Sequence, residues 1–85
     1  MSRSRIAIRQ RHGSHLLIER DGRWSIIERR DDGLYSVGSE ERQGHPDDEQ
    51  GMAAAAAADW CDEATAHARF RDIVARGEAL ARKIW

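Results

Sequence analysis

Hydrophobic residues in the first forty positions come in short runs broken by glycine and charge. The runs are Ile6-Ala7-Ile8, Leu16-Leu17-Ile18, Trp24-Ser25-Ile26-Ile27 and Leu34-Tyr35-Ser36-Val37, and the breaks are His12-Gly13-Ser14, Asp21-Gly22 and Asp31-Asp32-Gly33. Short β-branched or aromatic runs punctuated this way predict the strands of an antiparallel meander. Asp21-Gly22 is the sharpest signal, because a two-residue type I′ turn needs φ > 0 at both central positions and Asp-Gly tolerates it. The third turn fits two residues, or three with a bulge, so the register of a fourth strand stays open.

The pattern changes after Val37. Residues 36–50 are polar, contain Gly38, Gly44 and the single proline, and predict a loop over about 39–46. His45-Pro46-Asp47-Asp48-Glu49 predicts a helix start, since proline is tolerated in a first turn and acids there oppose the positive end of the helix dipole. Alanine then dominates, and the region from about 47 to 84 is expected to be helical, with Gly51 and Gly77 as weak points. At 100° per residue Phe70, Ile73, Val74, Gly77, Leu80, Ala81 and Ile84 share one face. Carried backward, that phase would bury Asp59, Asp62 and Glu63. Asp59-Trp60-Cys61-Asp62 reads as an N-cap with an acid three residues on, which predicts a break there, a short first helix and a longer second one. The expected architecture is a single α+β domain over residues 1–85: an antiparallel β-meander of three to four strands within about 4–38, followed by a C-terminal helical segment.

A two-residue Asp21-Gly22 turn sets Leu17 opposite Ile26, Leu16 opposite Ile27 and Glu19 opposite Trp24. One sheet face then carries Leu17, Trp24 and Ile26, and the other Leu16, Ile18 and Ile27. A half-buried antiparallel sheet ordinarily shows one wet face. The stripe of the long helix covers only one of these two. The other needs the first helix with Trp60, a second copy of the chain, or a foreign partner, and the expectation is an intermolecular interface through Leu16, Ile18 and Ile27.

Composition narrows the class. An 85-residue chain with 40% hydrophobic and 34% charged residues is globular, with one thin core and little room for a deep substrate cavity. No apolar run approaches the ~20 residues of a membrane span, and the basic start has no signal-peptide apolar stretch. With Cys61 as the single cysteine there is no disulfide framework, so a soluble cytoplasmic protein is expected.

The net charge of −1 hides strong segregation. Residues 1–30 hold eight arginines against Glu19, Asp21 and Glu28; residues 31–63 hold ten acids against Arg42; residues 64–85 hold five basic residues against Asp72 and Glu78. Segregation along the chain becomes segregation on the surface unless the blocks pair with one another.

Catalytic signals are weak. Cys61 and His67 would point about 120° apart on a helix, so no local nucleophilic dyad forms. Glu63 and His67 at i, i+4 supply only two metal ligands, and His12 and His15 would have to come from elsewhere in the fold. There is no P-loop, Rossmann glycine pattern or nucleophile elbow. Neither an enzyme nor a cofactor or metal is expected. Arg3, Arg5, Arg9 and Arg11 alternate, so a first strand would line them along one side, where they would track phosphates, with Arg20, Arg23, Arg29 and Arg30 near the strand ends, or simply guard a strand edge.

In size, absence of catalytic motif and arginine–alanine bias the chain resembles the small accessory proteins of bacteriophages and mobile elements. Some of these, anti-CRISPR proteins among them, work by occupying a host complex. The resemblance is architectural, matches no motif and transfers no residues. It implies a small non-catalytic protein that docks on another protein, as an inhibitor, through an acidic or apolar surface. The acidic candidates are Asp31, Asp32, Glu40, Glu41, Asp47, Asp48 and Glu49, which would mimic phosphates against a basic groove. The alternative is a nucleic-acid-binding module using the arginine-lined strand. A homodimer is compatible with both, and no membrane is involved.

Overall fold

The computed structural model describes residues 5–37, 44–57 and 59–84, with side chains through Gly77. Four strands, β1 (Ala7–His12), β2 (His15–Arg20), β3 (Arg23–Arg30) and β4 (Gly33–Ser36), form one antiparallel sheet in the order β1-β2-β3-β4. Two helices follow, α1 (Glu49–Ala56) and α2 (Glu63–Ile84). The α+β meander expected from the apolar runs is the observed architecture.

The turns set the register. Asp21 and Gly22 have φ of 55° and 80°, the left-handed pair that a type I′ hairpin demands. Leu16 consequently pairs with Ile27, Leu17 with Ile26 and Glu19 with Trp24. The third turn is the two-residue version: Arg30 pairs with Gly33 around Asp31-Asp32, which puts Glu28 opposite Tyr35.

The helical region does break where the apolar stripe loses phase. The Asp59 N–H donates to the Ala56 carbonyl at 2.8 Å just beyond the end of α1. The cap of α2 is Asp62, three residues later than the expected Asp59. Its Oδ1 accepts from the Thr65 N–H at 3.2 Å, and its carbonyl from the Ala66 N–H at 3.1 Å.

Both sheet faces are apolar, and the chain covers both. α2 lays Ala66 and Phe70 on Leu17 and Ile26, with Trp24, Val37, Ile73 and Val74 at the margin. α1 lays Ala55 and Ala56 on Leu16, Ile18, Ile27, Leu34 and Ile6, with Met52, Ala53 and Trp60 around them. Leu16 is 2% exposed, and Ile18 and Ile27 are 0%. The expectation that these three would form a docking face is therefore overturned. An eight-residue helix suffices because alanine has almost no side chain, so its backbone settles close to the sheet and leaves no gap for a partner to fill.

Candidate binding surfaces

Five of the acidic candidates gather at one end of the sheet. Leu34 and His45 exchange backbone hydrogen bonds at 2.8 and 2.9 Å, which lays residues 44–46 along β4 and brings the start of α1 beside the β3–β4 turn. Asp31, Asp32, Asp47, Asp48 and Glu49 are exposed there. Three of them have internal work. Asp47 pairs with Arg29 at 3.1 Å, Asp48 caps α1 by accepting from the Gly51 N–H at 2.7 Å, and Asp32 accepts from the Tyr35 hydroxyl. Asp31 and Glu49 make no ion pair or side-chain hydrogen bond among the described residues. Glu40 and Glu41 lie outside the described residues.

Among the described residues few ion pairs join one charge block to another. Arg29–Asp47 is the single ion pair among the described residues that joins the basic first block to the acidic second. Arg9–Glu19 and Arg30–Glu28 lie within the first block, and Arg76–Asp72 within the third. Arg30 also sits 4.3 Å from the centre of the Tyr35 ring, so this end carries two engaged arginines beside its acids.

The arginine row expected along the first strand does not form. A bulge at Arg9 separates the pairs Ile8–Ile18 and Gln10–Leu17, and one extra residue reverses the facing of everything after it. Arg9 lies on the α2 side, bonded to Glu19 and 6.0 Å from the Trp24 ring. Arg11 pairs with Leu16, on the α1 side. Arg5 is exposed, and Arg3 lies outside the described residues.

A second basic feature, formed by two of the arginines expected near the strand ends, lies at the opposite end. Arg20 and Arg23 flank the Asp21-Gly22 turn as cross-strand neighbours. Residue parity puts both on the α1 side, where the guanidinium of Arg20 lies 5.3 Å from the centre of the Trp60 ring. Adjoining clefts of about 430 and 210 Å³ share Arg23 and Trp60. Gly22, Cys61 and Asp62 line the larger, and Arg20 and Asp21 the smaller. The Arg20–Arg23 adjacency was legible from the turn; the arrival of Trp60 was not, because nothing local announces it.

The Cys61 thiol and the His67 imidazole have structural partners. Cys61 donates its thiol to the Trp24 carbonyl at 3.3 Å, and the His67 ring packs on Trp24 with centroids 4.9 Å apart and planes at 50°. His67 lies 3.8 Å from Glu63. His12 and His15 pair across the β1–β2 turn, at the other end of β2 from Glu19 and Trp24. Among the described residues no three His, Cys, Asp or Glu side chains converge on a possible metal position.

Two carboxyls are held below their ordinary pKa range. For Glu19 the main cause is the Gly22 N–H bond, followed by Arg9; for Asp62 it is hydrogen bonding from Thr65. Both are structural acids, one bracing the hairpin and the other starting α2. No described helix is long and apolar enough to cross a membrane. No protein-family model, curated protein or solved structure matches this chain.

Proposed function

We propose that the chain is a small non-catalytic interaction protein that docks on a basic surface of another protein or complex through its acidic end. The supporting observation is convergence: the β3–β4 turn and the start of α1 are tied together by the Leu34–His45 hydrogen bonds, which collect acids from two distant stretches of sequence. Asp31 and Glu49 are uncommitted there, while Asp32, Asp47 and Asp48 hold a fixed scaffold beneath them. With the apolar sheet faces used internally, recognition falls to charge. Complementary charge chiefly accelerates encounter and selects partners. An inhibitor of the phage or mobile-element kind, anti-CRISPR proteins included, is a role that this size and charge distribution suit.

The test uses the two uncommitted acids, since replacing Asp47 or Asp48 would also disturb the fold. The doubly substituted Asp31→Asn, Glu49→Gln protein should keep its circular dichroism spectrum. It should also lose most of the partner recovered by affinity purification from cells of the source organism. Equal recovery of the same partner by wild type and variant rejects the acidic end as the docking surface.

A further inference from the structure

We propose that Arg20, Arg23 and Trp60 form an oxyanion site for a phosphate monoester, separate from the acidic end and independent of the docking reading. β3 separates the two ends by on the order of 25 Å.

The first argument is an uncompensated pair of like charges. Arg20 and Arg23 are direct cross-strand partners beside a two-residue turn. Such neighbours have Cβ atoms about 5 Å apart, and like charges in that position repel. Among the described residues neither guanidinium makes an ion pair or hydrogen bond. Glu19, the nearest strand acid, cannot neutralise them: it lies on the other sheet face, with one oxygen bonded to Arg9 and the other to the Gly22 N–H at 3.0 Å. Asp62 lines the larger cleft and is engaged with Thr65. Asp21 is the left-handed turn residue and bonds to neither arginine.

The second argument is preorganisation. A cation–π contact, with the guanidinium 5.3 Å from the centre of the Trp60 ring, restrains the Arg20 side chain without using any of its five N–H donors. A guanidinium fixed in this way presents a fork that matches two oxygens of a phosphoryl group, which a lysine ammonium does not. Arg23 supplies the second positive charge from the adjacent strand, and the clefts beside both leave the donors open to solvent. Two cations suit a dianion, and a phosphate monoester is dianionic above its second pKa of about 6.

The test is a titration of the isotopically labelled full chain at low ionic strength, read from the Trp60 indole N–H and the arginine Nε–H signals. The arms are inorganic phosphate, adenosine 5′-monophosphate and a ten-nucleotide single-stranded DNA. Saturable shifts at Trp60, Arg20 and Arg23 are expected with inorganic phosphate and with adenosine 5′-monophosphate, the latter weakening as pH falls below about 6. Arg23→Gln should weaken binding roughly tenfold or more, as should Arg20→Lys, which keeps the charge but loses the fork. Arg11→Gln, on an exposed distant residue, should leave it unchanged. Shifts spread evenly over Arg5 and Arg11, or an Arg23→Gln protein that binds like wild type, would overturn the site. Binding of the oligonucleotide without either inorganic phosphate or adenosine 5′-monophosphate would overturn the monoester assignment in favour of a nucleic-acid backbone.

Discussion

Trp24 and Cys61 exchange both backbone hydrogen bonds, at 2.9 and 2.8 Å, so the segment between the two helices is stitched to the start of β3. β4 runs only to Ser36, and Cys61 takes over its side of β3 at Trp24. The link anchors α2 just before its first turn. The Trp24 and Cys61 amides should therefore show matched hydrogen-exchange protection, well above that of the exposed turn amides at Asp21 and Asp31. Exchange of both within the dead time of the measurement would contradict the link.

Closure of the second face by α1 is open to direct attack. Ala56 is 0% exposed against Leu16, Ile18 and Ile27, with no room for a longer or charged group. Ala56→Glu should cost about 3 kcal/mol or more in urea unfolding and raise binding of an apolar dye. Ile27→Ala should cost about 2–5 kcal/mol. A cost under about 1 kcal/mol for both would mean that α1 does not seal the sheet.

Gly51 sits in the first turn of α1, where helix propensity alone favours alanine by up to about 1 kcal/mol. The structure reverses that sign. A Cβ at Gly51 would overlap the backbone carbonyl of Pro46, and backbone cannot swing aside as a flexible side chain does. Gly51→Ala should lower stability by roughly 1–3 kcal/mol, as overpacking does. A rise in melting temperature would contradict the contact.

Ser25 is 1% exposed, and its hydroxyl has no hydrogen-bond partner among the described residues. Leaving a hydroxyl buried and unpaired costs about 1–3 kcal/mol, so removing it relieves the penalty. Ser25→Ala should be neutral or stabilising by up to about 1 kcal/mol, measured by denaturant unfolding. A clear loss of stability would show that the hydroxyl is bonded in solution.

Glu19 carries the acid sensitivity of the hairpin. A carboxyl with a folded pKa below its unfolded one stabilises fully above the unfolded value, and loses that contribution as pH falls through the folded one. Glu19→Gln should therefore be less stable than wild type at neutral pH, with the difference shrinking below about pH 4. A difference that stays constant down to strongly acidic pH would remove the charge from the explanation.

The amino-acid sequence by itself determined the strands, the type I′ turn, the β2–β3 register and the break between the helices. Each depends on a residue's own backbone preference or on a neighbour a few positions away: Asp21-Gly22 accepts positive φ, and apolar spacing loses phase near Asp59. Charge convergence was only half legible, since the acids were visible but not the Leu34–His45 pairing that joins them. Tertiary structure alone decided that alanines in α1 close the face carrying Leu16, Ile18 and Ile27, that a bulge at Arg9 breaks the arginine row, and that Trp60 meets Arg20. Those outcomes depend on how closely distant segments approach, which side-chain volume and backbone hydrogen bonding settle only once the whole chain is packed.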